Sequence, residues 1–185
     1  MDINFSNIKD SRVQIRLRKL QLSDAKSIYQ NVKDKAIVRY TLQIPHPYYL
    51  SDARKFINYS IKAYREKTAY IFGIEHIDKK TIIGIVSVAK VDRKNKNCEL
   101  GYWLGKKYWH QGIASNAVGM ILDFAFNKLK MHRVYASAFA SNTGSVRVLE
   151  KNGFLLEGVL FENYWRNRKW HNLFLYGILK DNYCK

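Results

Sequence analysis

The strongest constraint on this chain lies in its middle, where Glu99-Leu100-Gly101-Tyr102-Trp103-Leu104 is followed closely by Tyr108-Trp109-His110-Gln111-Gly112-Ile113-Ala114. An apolar, strand-like run leads into a loop with a glycine and, two places on, a small residue; a helical pattern begins near Ser115. That order makes a phosphate cradle. Amides at a helix N-terminus have no intrahelical partner and sit at the positive end of the macrodipole, so they hold an anion without a basic side chain. Gly112 and Ala114 matter because a bulky Cβ would keep a phosphate away from those amides. Taken alone, Gly-x-Ala ahead of a helix also fits a plain loop, so the rest of the chain has to decide.

At 185 residues and 47% hydrophobic composition, the chain can bury one well-covered core, and no stretch of linker composition marks a second. Residues 1–185 therefore read as a single domain. Residues 1–10 lack the basic start, apolar middle and small-residue site of a signal peptide, and no apolar run approaches the roughly 20 residues that span a bilayer. A soluble, cytoplasmic protein without membrane contact is expected. Cys98 lies in a strand pattern and Cys184 beside the C-terminus, which is neither a disulfide framework nor a zinc pattern, so both read as reduced thiols.

The net charge is +17, from 32 basic and 15 acidic residues. Such a field concentrates anions and speeds their arrival. The cations are scattered, as at Arg16 and Arg18, Lys79 and Lys80, Lys106 and Lys107, and the segment Arg166-Asn167-Arg168-Lys169, and they build no nucleic-acid-binding tail. A solvated basic surface and a surface that works near RNA both stay open.

Residues 13–18 alternate as a half-buried strand. Ser23 is expected to cap a helix over 24–33 with Ala25, Ile28, Tyr29 and Val32 inward. Both prolines fall at 44–49, a loop, and Ser51-Asp52 opens a second helix. Runs 69–77 and 81–91, joined by Asp78-Lys79-Lys80, predict a hairpin, with a third strand over 98–104 completing a meander. A helix over 115–128, a strand over 133–139, a short helix over 142–151 ended by Gly153, and strands over 154–161 and 170–179 complete the order β α α β β β α β α β β.

That order, with the phosphate turn after the fourth strand, resembles the GNAT superfamily of acetyl-CoA-dependent N-acetyltransferases over nearly the whole chain. The superfamily loop, Gln/Arg-x-x-Gly-x-Gly/Ala, matches Trp109-His110-Gln111-Gly112-Ile113-Ala114 except that Trp109 stands at its first position. An aromatic there, after Glu-x-Gly-Tyr-Trp-Leu, is similar to the RimJ/RimL branch of ribosomal-protein N-terminal acetyltransferases. So is the block from Asn142 and Ser145 through Lys151-Asn152-Gly153-Phe154 to Glu157-Gly158. The resemblance implies an α+β sandwich, the acyl-CoA N-acyltransferase fold, whose mostly antiparallel sheet splays between strands 4 and 5. The pantetheine arm would bond the backbone of Tyr102, Trp103 and Leu104, and the pyrophosphate would sit on the amides of Gln111, Gly112, Ile113 and Ala114. Asn142 and Ser145 would lie near the thioester. Lys151, with Lys106, Lys107 or Arg147, would reach the adenosine phosphates, each being otherwise an ordinary solvated cation.

Acyl transfer to an amine needs a neutral nucleophile, stabilisation of the carbonyl oxyanion and a proton for the departing thiolate. A backbone N–H freed by a bulge of strand 4 near Tyr102 or Trp103 would serve the oxyanion. Glu99, flanked by apolar residues, is the candidate base, since desolvation would raise its pKa toward neutrality; the alternative is a carboxylate paired with a neighbouring cation. Ser145 is the candidate donor to the thiolate, through a relay; the alternative is a serine that steadies the first turn of its helix. Tyr108, Tyr135, Tyr164 and Tyr176 read as core or rim aromatics, and His110 and His132 lack metal-site spacing, so no metal is expected. Trp165 and Trp170 bracket a basic segment bordering the acceptor pocket.

These features favour direct transfer from acetyl-CoA to a protein N-terminal α-amine, a ribosomal protein being the natural acceptor for a basic enzyme working near RNA. Small-molecule amines (an antibiotic, a polyamine, an amino-sugar) remain alternatives, as does a non-catalytic nucleic-acid-binding module. The last explains the charge but not the turn at Gly112 or the Asn142 and Ser145 pair. Monomer and homodimer are equally compatible with the sequence.

Overall fold

A seven-stranded sheet in the order β1-β2-β3-β4-β5-β7-β6 carries the molecule, with every neighbouring pair antiparallel except β4 and β5. The computed structural model describes residues 13–41, 44–166 and 168–183. The leading ten residues, Asn167 and Cys184, on which expectations were placed above, lie outside them. The first half runs β1 (Ile15–Lys19), α1 (Ala25–Val32), α2 (Lys35–Val38), α3 (Leu50–Glu66), β2 (Tyr70–His76), β3 (Thr81–Asp92) and β4 (Asn97–Leu104). The second half runs α4 (Ile113–Asp123), β5 (Arg133–Phe139), α5 (Thr143–Lys151), β6 (Leu155–Arg166), β7 (Lys169–Leu179) and α6 (Lys180–Tyr183). Among the described residues no helix is long and apolar enough to cross a membrane.

The sheet has a core on each face. Tyr70, Phe72 and Ile74 of β2, with Cys98 and Leu100 of β4, pack under α4 and meet Val118, Ile121 and Phe124. Ile71 of β2 and Ile82 and Ile85 of β3 take the other face, under Ile28 of α1 and Ile57 of α3. The period-2 alternation of the strands thus feeds two helical layers at once. Cys98 is buried, and burial pushes its thiol up to about 12, which keeps it unreactive.

Several boundaries differ from the sequence reading for local reasons. Ser23 caps nothing. Gln21 precedes a 3-10 turn, and its amide donates to the carboxylate of Asp24, which Arg18 also grips at 2.7 and 2.8 Å. The same guanidinium donates from Nε to Glu75 at 2.8 Å, and Arg16 also donates to Glu75, so β1, β2 and the start of α1 are tied by one part-buried ionic network. α3 begins at Leu50 because Asp52 accepts from the amide of Tyr49 at 2.9 Å. α5 is capped by Asn142, whose Oδ1 accepts from the amide of Ser145, and it closes as expected. Gly153 sits at φ +81, and the amides of Gly153 and Phe154 donate to the carbonyls of Glu150 and Leu149.

Candidate donor site at the split between two strands

β4 and β5 run parallel but stay together briefly. Asn97, Cys98 and Glu99 pair with Arg133, Val134 and Tyr135, after which β4 continues to Leu104 and β5 to Phe139 without pairing. On its other edge β4 remains in regular register with β3 from Glu99 through Leu104. The backbone of residues 101–104 is therefore bonded on one side and open on the other, which is the edge an extended amide-bearing arm can pair with. This corrects one expectation: β4 has no bulge at Tyr102 or Trp103. The register shift lies in β3, between Ala89 and Asp92, where Lys90 adopts φ +48. The divergence of β5 is what frees the amides of β4.

Beyond Leu104 the chain makes a 3-10 turn over Lys106–Tyr108 and reaches the cradle. The indole Nε1 of Trp109 donates to the carbonyl of Leu104 at 2.7 Å, which gives a structural purpose to the aromatic standing where the superfamily has Gln or Arg. Gln111 donates to the carbonyl of Lys107 at 3.1 Å. Gly112 is the N-cap of α4 at φ +74, and a Cβ built there would meet nothing within 4 Å. The glycine is demanded by its backbone conformation, and no side chain crowds its own position at the head of the helix, where free amides could hold a phosphate. α4 starts at Ile113, two residues before the expected Ser115, so the amides of Ile113, Ala114 and Ser115 head the helix directly. Its last turn, Phe124–Lys128, is π-helical.

Across the split, the Tyr102 hydroxyl lies 2.7 Å from Ser145 Oγ and also donates to the carbonyl of Ser145 at 3.1 Å. Burial pushes the Tyr102 phenol well above the usual tyrosine range, only partly offset by the bond with Ser145, so it stays protonated. Because Asn142 supplies the cap, the Ser145 hydroxyl is left for Tyr102. The sequence named Tyr102 only for its backbone; its alternation with Leu100 and Leu104, both inward toward α4, was the signal for its side chain. Glu99 stands at the fork itself, one quarter exposed, with its carboxylate 2.7 Å from Lys90 Nζ. The apolar surroundings expected for it are thus replaced by an ammonium, and the pairing raises the pKa of Lys90. Lys151 lies in the last turn of α5, about 9 Å along the axis from Ser145. Lys107 and Lys79 both approach the ring of Tyr108, at 5.0 and 5.9 Å, beside the cradle.

The basic segment read as bordering the acceptor pocket is anchored to a distant part of the chain. Arg166 Nη1 donates to the carbonyl of Thr41 at 2.5 Å, tying the β6–β7 hairpin to the chain between α2 and α3. Behind this clasp Phe139, at the end of β5, packs edge-on to Tyr164 and His171. Sequence reasoning had no route to this cluster, whose members are 25 and 32 residues from Phe139. Among the described residues no group of three or more His, Cys, Asp or Glu side chains is placed to share a metal ion.

A parallel pair that parts beside a helix N-terminal cradle is the architecture of an acyl-CoA-dependent transferase. The family model for an acetyltransferase (GNAT) domain matches residues 14–155, and the chain belongs to that family. It is 26% identical to a ribosomal-protein-serine acetyltransferase of Escherichia coli over 91% of this chain and 94% of that protein. It is 24% identical to a spermidine N(1)-acetyltransferase of Vibrio cholerae over 92% of this chain and 95% of that one. Among solved structures it is similar in fold to a ribosomal-protein-S5-alanine acetyltransferase from Vibrio fischeri, at a TM-score of 0.85 and 22% identity, covering 98% and 99% of the two chains. The protein is an acyltransferase that uses acetyl-CoA and an amine acceptor. The open edge of β4 and the cradle at Gly112 fit the cosubstrate's amide-bearing arm and its pyrophosphate.

Proposed function

We propose that the acceptor is a protein N-terminal α-amine, as in ribosomal-protein acetylation, which attacks the thioester carbonyl directly as the neutral amine. The observation that carries this is the Glu99–Lys90 pair. A carboxylate held by an ammonium is already engaged before the acceptor arrives, which suits an amine that needs little help. An α-amino group titrates near 7.7–8.0 and keeps roughly 20–30% of its copies neutral at physiological pH, whereas an alkylamine of the lysine type, near 10.4, keeps about a thousandth. Polyamines are also disfavoured by the field of a chain with net charge +17 and by Arg166, Arg168 and Lys169 on the hairpin that borders the acceptor.

In this reading Glu99 receives the amine proton, an open amide of β4 stabilises the oxyanion, and Ser145, oriented by the Tyr102 hydroxyl, donates a hydrogen bond to the departing thiolate, which takes its proton from solvent. Lys106, Lys107 and Lys151 serve the phosphates of the donor as point charges, and the chain acts as one domain in the cytoplasm. Thiol release from acetyl-CoA is to be compared across N-terminal peptides, spermidine and aminoglycosides. Peptides should turn over fastest; a higher kcat/KM for spermidine or for an aminoglycoside would overturn the assignment.

A further inference from the structure

A cleft of about 510 Å³ opens between β1, the start of α1 and the hairpin that joins β2 to β3, a volume in the range of small-ligand sites. It lies on the face of the sheet away from α4. Arg16 stands directly across from Glu75, and both alternate along their strands with Ile15, Leu17 and Ile74, which belong to the core under α4. Four cations line the cleft, Arg16, Arg18, Lys26 and Lys80, against two carboxylates, Asp24 and Glu75. Those carboxylates are only 7% and 3% exposed, and both are already engaged. Asp24 accepts from Arg18 and from the amide of Gln21, and Glu75 accepts from Arg18 and Arg16. What the cleft offers an incoming group is therefore positive.

Three features give the chemistry of that group. Arg16 holds Glu75 through Nε alone, and among the described residues its two Nη groups donate to nothing, so the guanidinium keeps a planar edge able to grip an oxyanion in two bonds. Lys26 and Lys80 form no ion pair among the described residues, and the hydroxyls of Ser23 and Thr81 stand beside them in the lining. Lys26 is also the second residue of α1, where the macrodipole disfavours a cation, and the Asp24 carboxylate ahead of it is taken up by Arg18. A bound anion relieves that conflict. Finally, the lining holds a surplus of two positive charges, carried on three separate segments around one cleft. That balance matches a phosphate monoester, which bears a charge of about −1.5 to −2 at neutral pH. A nucleic-acid backbone carries one charge per link and is met by cations set along its path.

We propose that this cleft binds the phosphate monoester of a small phosphorylated ligand, at a site separate from the donor cradle. The site does not depend on the identity of the acceptor amine. Because acetyl-CoA carries phosphates of its own, the test is made with the donor site saturated. Two-dimensional amide spectra are followed at neutral pH and constant ionic strength as inorganic phosphate, and then glycerol 3-phosphate, is added. The amides of residues 21–27 and 80–81 should move and saturate with both, and should stay still with chloride. Lys26→Glu and Lys80→Glu, on exposed positions outside the ionic network, should each raise the half-saturating concentration at least about tenfold with the thermal melt unchanged. Lys26→Arg should keep wild-type binding. The absence of a saturable shift, shifts confined to residues 112–115, or an unchanged midpoint in both glutamate variants would overturn the proposal. So would tighter binding at the same amides by a single-stranded RNA that lacks a terminal phosphate.

Discussion

Glu99 and Tyr102 lie three positions apart on one strand and carry opposite tasks because of what faces them. Glu99 looks toward Lys90, swung into reach where β3 shifts register, while Tyr102 looks into the helical layer and finds Ser145. Glu99→Gln removes the proton acceptor without changing size, and should lower kcat/KM for an N-terminal peptide by about tenfold, less than the 10²–10⁴-fold of a full general base because the amine needs little help. Steady-state kinetics with acetyl-CoA saturating will show it; a loss under about threefold would mean that the amine arrives neutral and needs no base. Tyr102→Phe should act on kcat rather than on donor affinity, lowering kcat by about tenfold or more while calorimetric binding of acetyl-CoA changes little. Glu99 was visible in the sequence because a carboxylate inside an apolar run stands out. Its partner was not, since Lys90 lies nine residues away and reaches it only through a register shift that strand periodicity cannot show.

The elements around the split are held by caps and one glycine. Asn142→Ala leaves the Ser145 amide without its side-chain acceptor and should cost about 0.5–2 kcal/mol in chemical denaturation, loosening the turn that presents Ser145 to Tyr102. Gly112→Ala forces a left-handed conformation on a residue with a side chain, a penalty of about 1–2 kcal/mol, and should weaken acetyl-CoA binding in calorimetry. No clash contributes, because the added methyl meets nothing within 4 Å; the loss would come from the cradle's backbone alone. The cradle was legible because glycine and small-residue spacing before a helix is local chemistry. The start of α1 was not, because its first turn is set by an aspartate that also answers to Arg18 on a neighbouring strand.

At the scale of the whole molecule, the ionic network at the β1 edge couples stability to pH. Burial opposes the charged form of Glu75, but hydrogen bonds from Arg18 and Arg16 outweigh it and hold the carboxyl below its ordinary 4.5. A depressed carboxylate stabilises the fold above its unfolded pKa, and that stability is lost as pH falls through the folded value. Thermal melts should therefore fall steeply below about pH 4.5 in the wild type and more gently in Glu75→Gln. At neutral pH the variant should be about 2–4 kcal/mol less stable, since it leaves two arginines without their shared partner. By itself the sequence determined the order of the main elements, the glycine turn ahead of α4 and, through the family resemblance, the donor. The elements and the turn rest on period, capping and glycine chemistry, which act between residues a few positions apart. Only the tertiary structure decided where β4 and β5 part, that Tyr102 meets Ser145 across the gap, that Lys90 neutralises Glu99, and that Arg166 closes the hairpin onto Thr41. Each joins groups whose meeting depends on sheet order and strand divergence, so no local rule could foresee it.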